Sequence, residues 1–530
     1  MTSPVTSPAT TAAGPADVSA PDPVPAPALT AVVDVDVPGP TISRHVYGHF
    51  AEHLGRCIYD GFWVGEDSEI ENIGGIRADV VEALRAIAIP NLRWPGGCFA
   101  DEYHWTDGIG PRRERPRMVN THWGDVEENN HFGTHEFMAL CELLGTEPYI
   151  SGNVGSGTVK ETSDWVEYLT RAGDSPMARL RGENGRQEPW NVTFFGIGNE
   201  PWGCGGNLTA DQFSTLARQH ATYARDHGKD RLYRVAAGGN EADYAWTEVL
   251  MKQLASGLGD PAPRDLYQAI SFHYYTMSGS WMDKGSATEF TDREYWATMA
   301  RAHRVGELIA GHAAVMDAYD PTKKVGLALD EWGTWWNVEP GTNPGFLHQQ
   351  NTLRDALVAA VHFEAFHSHA DRLRLANIAQ TVNVLQSMVL TDGHRLVLTP
   401  TYHAFAMDVG HHDAAHLPVR PVGDVAQREA DGRVVPTVTA TASTKAGAVT
   451  VTAANLDPDA GATVELRLRG HGPLELGQVS VLTAGDPREH NTAEEPERVA
   501  PVPFEGATWS GSTLRLELPP TSYVSLRLVG

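Results

Sequence analysis

Between about residues 45 and 390 the chain alternates short, almost wholly apolar stretches with longer amphipathic ones, and this alternation restricts the fold more than any other feature. The apolar stretches are VYGHFAEHL (46–54), IPNLRWPGG (89–97), EPYISGNVG (147–155), NVTFFGIGNE (191–200), YRVAAGGNE (233–241), AISFHYYT (269–276), KVGLALDEW (324–332) and DRLRLANIAQTVN (371–383). Near-continuous apolar runs belong to strands buried on both faces, as in a parallel sheet. The stretches between them read as helices, among them 76–88, 133–145, 209–228 and 295–319. Thr209 with Gln212, and Thr291 with Glu294, have the spacing of a capping box. Eight strand–helix alternations, with no Gly-rich dinucleotide fingerprint after the first strand, predict a (β/α)8 TIM barrel over 45–392.

Beyond about residue 395 the pattern changes. AVTVTAANL (448–456), TVELRLRG (463–470), TLRLELPP (513–520) and SYVSLRLVG (522–530) alternate apolar with polar residues. That pattern predicts an antiparallel, jelly-roll-like β-sandwich over 393–530, with one face of each sheet in water. LTAVVDVDV (29–37) has the same style, so residues 29–44 are expected to contribute to that sandwich before the chain enters the barrel. Residues 1–28 are rich in Pro, Ala, Ser and Thr and lack a large apolar cluster, which predicts a disordered tail. This tail also lacks the charged and apolar regions of a secretion signal.

The net charge of -26 argues against nucleic acid and anionic membranes as partners and suits a neutral substrate. No apolar run reaches the roughly 20 residues that span a bilayer. The four cysteines (Cys57, Cys98, Cys141 and Cys204) lie far apart with no C-x-x-C pair. They form neither a zinc framework nor a disulfide scaffold, and fit a reducing cytoplasm.

Barrel enzymes carry their chemistry at the C-terminal ends of the strands. Those ends supply Glu52 and His53, Arg93 to Cys98, Asn153, Asn199 and Glu200, Asn240 and Glu241, His273 to Tyr275, Asp330 and Glu331, and Gln380. Two of these stand out. Glu200 in GNEPW and Glu331 in LALDEWGTWW each follow a buried strand and precede a tryptophan. On strands four and seven, they would face each other across one cleft.

Such a carboxyl pair is what glycosidic-bond cleavage requires. Desolvation and a neighbouring negative charge hold one carboxyl protonated, so that it can donate to the leaving oxygen. The other stays ionised and attacks the anomeric carbon. A separation of about 5–5.5 Å means retention through a covalent intermediate, and a wider gap means inversion. Trp202, Trp332, Trp335 and Trp336 offer aromatic faces for sugar rings. Either glutamate alone has a plainer reading as a partner for Arg93 or another barrel-end cation, the weaker of the two readings; the two together, with their flanking Asn and Trp, do not.

Seven stretches between residues 47 and 384 carry a resemblance: YGHFAEHLGRCIYDG, LRWPGGCFADEYHWTDGIGP, FGTHEFMALCELLGTEPYISGNVGSG, FGIGNEPWGCGG, SFHYYT, LDEWGTWW and AQTVNV. In these, in this order, the chain resembles the family 51 glycoside hydrolases, the α-L-arabinofuranosidases. The resemblance implies a retaining, exo-acting enzyme with Glu200 as acid/base and Glu331 as nucleophile. It implies that Glu52, Arg93, Asn199 and Gln380 hold the furanose hydroxyls or orient the carboxylates. Tyr275 would bind the nucleophile, His273 would sit near the acid/base, and Trp335 would border the sugar. Cys98 stands where many members carry Asn, so any hydroxyl contact there should be weaker. Cys204 could lie close to Cys98, but no disulfide is predicted. No metal or organic cofactor is expected; the resemblance also implies a homo-oligomer, a hexamer.

The same residues admit other readings. One barrel hosts many chemistries, so a β-xylosidase, an endoglucanase or a non-catalytic carbohydrate-binding barrel fits the same elements. HWGDVEENNHFGTHEF (122–137) suggests a metal site, but its spacing matches no zinc signature and reads better as a solvated loop over the cleft. The histidines of HSHAD (367–371) and GHHDAAH (410–416) read as surface residues. GPRRERPR (110–117) reads as a loop whose arginines pair with the acidic surface.

Overall fold

The eight apolar stretches form eight parallel strands closed into a barrel, in a computed structural model that describes residues 28–228, 231–255 and 265–530. The segment 1–28 therefore lies outside the described residues, apart from Ala28. In chain order the barrel strands are Gly48–Phe50, Asn91–Trp94, Glu147–Gly152, Phe194–Ile197, Tyr233–Ala236, Ala269–Thr276, Gly326–Thr334 and Leu373–Ala379. Each pairs with its successor, and strand eight closes on strand one through Asn377 opposite Gly48. The hydrogen-bonded segments are mostly shorter than the apolar runs, because the chain leaves the ladder where its polar strand-end residues begin.

Helices cover the outside of the barrel. The longest, Asp292–Tyr319, starts at Thr291, whose hydroxyl accepts from the Glu294 amide while the Glu294 carboxylate accepts from the Thr291 amide. Thr209 and Gln212 cap Ala210–Tyr223 in the same way. Inside the barrel, Tyr149, Phe194, Val235, Ala269, Ala328 and Leu375 pack into an apolar layer. Arg93 is buried in the same barrel, its guanidinium 4.5 Å from the centre of the Phe50 ring.

Residues 29–34 and most of the chain beyond about residue 415 form two facing sheets. One has the order 420–421, Leu29–Asp34, Ala462–Arg469, Thr513–Leu518 and Ala507–Ser510; the other is built around Val438–Lys445, Ala448–Asn455, Ser522–Val529 and Glu475–Thr483. Leu29–Asp34 runs parallel to Ala462–Arg469, with Leu29 opposite Val464. Leu29, Ala31 and Val33 face the apolar layer between the sheets together with Val464, Leu466, Leu514 and Leu526. Alternate residues turning to water explain the period-two pattern of these strands.

Where sandwich meets barrel, histidines expected at the surface are instead buried. His367 ends a barrel helix, and its ring bonds to the Tyr47 hydroxyl at 2.5 Å and to Thr441 Oγ1 of the sandwich at 2.9 Å. His411 lies against it, ring centres 4.7 Å apart, and bonds Ser443 Oγ at 2.7 Å. His412 and His416 complete the group, both mostly buried. Imidazole suits this junction because it fills space like an apolar ring while pairing with hydroxyls that the sheet would otherwise bury alone.

Candidate active site

The polar ends of the strands converge on one cavity of about 320 Å3 at the C-terminal mouth of the barrel. Its walls include Glu52, Cys98, Glu200, Asn240, Tyr275, Glu331, Trp335 and Gln380, all expected from the sequence, and also Trp123 and Trp281. A larger cavity of about 610 Å3 lies at the opposite end, by Tyr267 and Val325, where the strands begin. Strand geometry favours the first for chemistry.

Glu200 and Glu331 face each other. One oxygen of each carboxylate, with a ring nitrogen of His273, lies within 4.8 Å of the others. Their surroundings differ in a way the sequence did not indicate. Desolvation was expected at Glu200, yet its side chain is 18% exposed while that of Glu331 is only 8% exposed. Glu200 stands just beyond its strand, at φ 37°, and this left-handed turn swings its carboxylate to the cavity rim. Glu331 lies within its strand and is enclosed. Burial raises the Glu331 pKa, and the nearby Glu200 adds to this, while His273 and Arg93 oppose both.

Arg93 organises the floor. Its Nη1 donates to Glu331 Oε1 at 2.9 Å and to the Asp330 carbonyl at 3.0 Å; Nη2 donates to Asn199 Oδ1 at 2.6 Å and Nε to Ser151 Oγ at 3.1 Å. Burial works against its charge, but Asp330 and Glu331 outweigh that and raise its pKa. The second oxygen of Glu331, Oε2, accepts from the Tyr275 hydroxyl at 2.9 Å. Held at both oxygens, Glu331 has one orientation.

His273 bridges two carboxylates. Nδ1 meets Glu200 Oε1 at 2.8 Å and Nε2 meets Asp330 Oδ1 at 3.2 Å. Burial lowers its pKa, but Glu331, Asp330 and Glu200 together push it up to about 10, so the ring is a cation that donates from both nitrogens. Burial raises the Asp330 pKa, but Arg93 and His273 bring it down to about 2; Tyr149 also donates to it, at 2.6 Å.

Glu52 makes a third acidic point. Its Oε1 accepts from the Gly97 and Phe99 amides and the Trp123 indole at 3.0, 3.2 and 3.0 Å, and Oε2 accepts from Gln380 at 2.7 Å. Burial, with Glu331 nearby, pushes its pKa up to about 7. The glycines of WPGG permit this approach. A Cβ on Gly96 would stand 2.7 Å from Glu52 Cγ, and one on Gly97 would stand 2.5 Å from Glu331 Oε1.

Cys98 and Cys204 are joined by a disulfide, a pairing the sequence did not predict. Of the four tryptophans expected as sugar platforms, Trp202 and Trp335 line the cavity. Trp332 is buried, stacked on His362 and Phe405, and Trp336 is buried under Arg354. Trp123 and Trp281 take their places in the wall, Trp281 edge-on to Trp335 at 5.4 Å. Asp101 also went unassigned. Its carboxylate accepts from the amides of Val154, Gly155 and Asn199 at 2.8, 2.8 and 3.0 Å, tying the ends of strands three and four together. An acid shut into the aromatic stretch CFADEYHW was the available signal.

The stretch 122–137 brings Trp123 to the cavity, but much of its charge is structural. Glu128 pairs with His53 and Glu136 with Arg115, both acids buried. Arg112 and Arg117 pair with the exposed Glu66 and Glu127, as expected of 110–117, whereas Arg115 is buried and pairs with the buried Glu136. No helix among the described residues is long and apolar enough to cross a membrane.

Two family models match the chain, the alpha-L-arabinofuranosidase 1 domain over residues 83–282 and the alpha-L-arabinofuranosidase C-terminal domain over 330–522. An intracellular exo-alpha-L-arabinofuranosidase of Bacteroides ovatus is 48% identical over 94% of this chain and 95% of its own length. The GH51 arabinofuranosidase of Xanthomonas axonopodis pv. citri superposes with a TM-score of 0.90 at 48% identity, covering 94% of this chain and 99% of that one. An alpha-L-arabinofuranosidase of Thermotoga maritima, solved with arabinose, superposes with a TM-score of 0.81 at 31% identity, over 94% and 99% of the two chains.

Proposed function

The chain belongs to glycoside hydrolase family 51, the α-L-arabinofuranosidases, and on that premise we propose that it releases terminal α-L-arabinofuranosyl residues from arabinan, arabinoxylan and their oligosaccharides with retention of configuration. The observation that carries the reading is the approach of Glu200 and Glu331 within 4.8 Å. That is the spacing of a nucleophile and an acid/base acting in turn, too narrow for a water between them.

In this reading Glu331 is the nucleophile. Arg93 and Tyr275 fix its two oxygens and favour its ionised form, so that it meets the anomeric carbon in one orientation. Glu200 is the acid/base. His273 holds Oε1, which leaves Oε2 to give its proton to the departing oxygen and later to take one from water. Asn199, fixed through its side chain by Arg93 and through its amide by Asp101, stands beside Glu200 to meet a sugar hydroxyl whose bond strengthens as the oxocarbenium-like charge develops. Glu52 and Gln380 bind further hydroxyls, with Cys98 and Trp335 bordering the ring. Substrates are oligosaccharides taken into the cytoplasm, and the enzyme works as a homo-oligomer, a hexamer by family resemblance; light scattering tests the latter.

Product NMR on a panel of aryl furanosides and pyranosides tests the activity. The expected result is release of L-arabinofuranose as the α-anomer first. First appearance of the β-anomer, or turnover confined to pyranosides, would overturn it.

A further inference from the structure

Cys98 follows barrel strand two and Cys204 sits in the turn after strand four; both sulfurs lean on the same oxygen, Glu200 Oε2, at 3.8 and 3.6 Å. A disulfide carries no S–H, so these are packing contacts, not hydrogen bonds. Oε2 thus faces two sulfurs and, among the described residues, no hydrogen-bond donor. The three atoms lie within 4.8 Å of one another. We propose that reduction of the Cys98–Cys204 disulfide unmasks a metal site, in which the two thiolates and the Glu200 carboxylate hold a thiophilic divalent cation such as Zn2+ and so withdraw Glu200 from catalysis.

The donor spacing supports this. Tetrahedral zinc with bonds of about 2.3 Å to sulfur and about 2.0–2.2 Å to oxygen needs sulfur–oxygen edges of roughly 3.5 Å and a sulfur–sulfur edge of roughly 3.8 Å. Both sulfur–oxygen edges already exist. Only the sulfur pair must part, which follows once the bond between them is broken. His273 on Oε1 supplies the outer support that orients a ligating carboxylate. The fourth position opens into the cavity and takes water, giving three protein ligands and one open site. The other two cysteines do not compete. Cys57 and Cys141 are buried, and burial pushes the Cys57 thiol up to about 12.

The chemistry balances with a phosphine as reductant. The phosphine takes oxygen from one water to become its oxide, and the disulfide gains two electrons and two protons to become two thiols. Zn2+ then displaces both thiol protons and binds the ionised carboxylate, with no further oxidation or reduction. A reducing compartment, which keeps such a pair as thiols, would hold the enzyme in the metal-sensitive form.

The inference rests on Glu200 as acid/base, and its test separates the two claims. Oxidised and phosphine-reduced enzyme are titrated with Co2+ and, separately, assayed on an aryl α-L-arabinofuranoside with Zn2+. The reduced enzyme should bind about one Co2+ with a thiolate-to-cobalt charge-transfer band in the near ultraviolet. Zn2+ should lower its turnover by roughly tenfold or more, a barrier change of at least about 1.4 kcal/mol, reversed by a chelator. The oxidised enzyme should show neither effect, and Cys204→Ser should lose the band. Absence of the band in reduced enzyme, equal Zn2+ sensitivity of both forms, or a band surviving in C204S would overturn the site. The two redox forms are compared in the native chain, so the result does not depend on the variant folding. Failure of oxidised, metal-free enzyme to cleave the aryl substrate would instead overturn the functional reading, while the Co2+ spectrum is read without activity.

Discussion

Both oxygens of Glu331 are engaged by Arg93 and Tyr275, whereas Glu200 is held at one oxygen only, and this asymmetry predicts different mutant behaviour. Glu331→Ala should abolish turnover of every substrate while leaving thermal unfolding little changed. Glu200→Ala should lose about a hundredfold to ten-thousandfold on poor leaving groups, the range general acid catalysis supplies. It should keep far more with activated aryl groups, and azide should rescue it as the α-azide, the product of net retention. Equal losses in both variants without rescue would contradict the assignment. The sequence made this pair legible because each glutamate ends an apolar strand, where an acid has no cheap structural reason to be. Which of the two is better buried was not legible: it depends on the left-handed turn at Glu200, which a Glu-Pro step does not dictate. Nor was the disulfide, since two strand-end cysteines become neighbours only when the barrel closes.

Strand existence followed from the length of the apolar runs and the Gly, Pro and polar residues that bound them, since a strand buried on both faces shows no alternation. Strand ends did not, because buried residues such as Ala51, Val154 and Ala237 continue the apolar run past the last ladder pair. Trp332 and Trp336 illustrate the cost of this: both follow Glu331 closely in sequence, yet they point into packing and not into the cavity. Trp123 and Trp281 lie on connections, where no period indicates direction. WPGG shows what an element's tip requires. Gly97→Ala would place a methyl 2.5 Å from Glu331 Oε1, against an oxygen that Arg93 holds still. We expect kcat to fall by roughly tenfold or more, the scale of a small displacement of a reacting group. The melting temperature should stay near that of the parent, because the methyl meets a functional group and not the core. Parent-like kcat in this variant would mean that Glu331 is not the reacting carboxylate.

At the scale of the whole molecule, the histidine group joining barrel and sandwich makes stability depend on acid. Burial lowers the pKa of His411 to about 3 and of His412 and His416 to about 4, and takes His367 well below its usual value. These rings are neutral when folded and protonated when unfolded below about pH 6.5. The unfolded state then binds more protons, so stability falls as pH drops from about 6.5 towards 4. Asp408, beside His411, acts in the opposite sense: burial pushes it up to about 7, so its contribution is lost as pH rises through that value. Four rings against one carboxyl give the acid side the steeper loss. Melting temperature measured from pH 7 to 4.5 should fall progressively, and His411→Gln should flatten the slope; a flat profile in the parent would refute this account.

The parallel strand Leu29–Asp34 has a consequence for how the chain is made. Its partner, Ala462–Arg469, lies more than four hundred residues later in the sequence. At about 5–20 residues per second, a ribosome separates the two by on the order of tens of seconds. The whole barrel emerges in that interval, so it can close while this strand, with Leu29, Ala31 and Val33 still uncovered, waits for its neighbours. A strand made before the barrel is among the last to be placed. A nascent chain stalled just after the barrel would carry this apolar strand unpaired until residues 462–469 emerge to cover it.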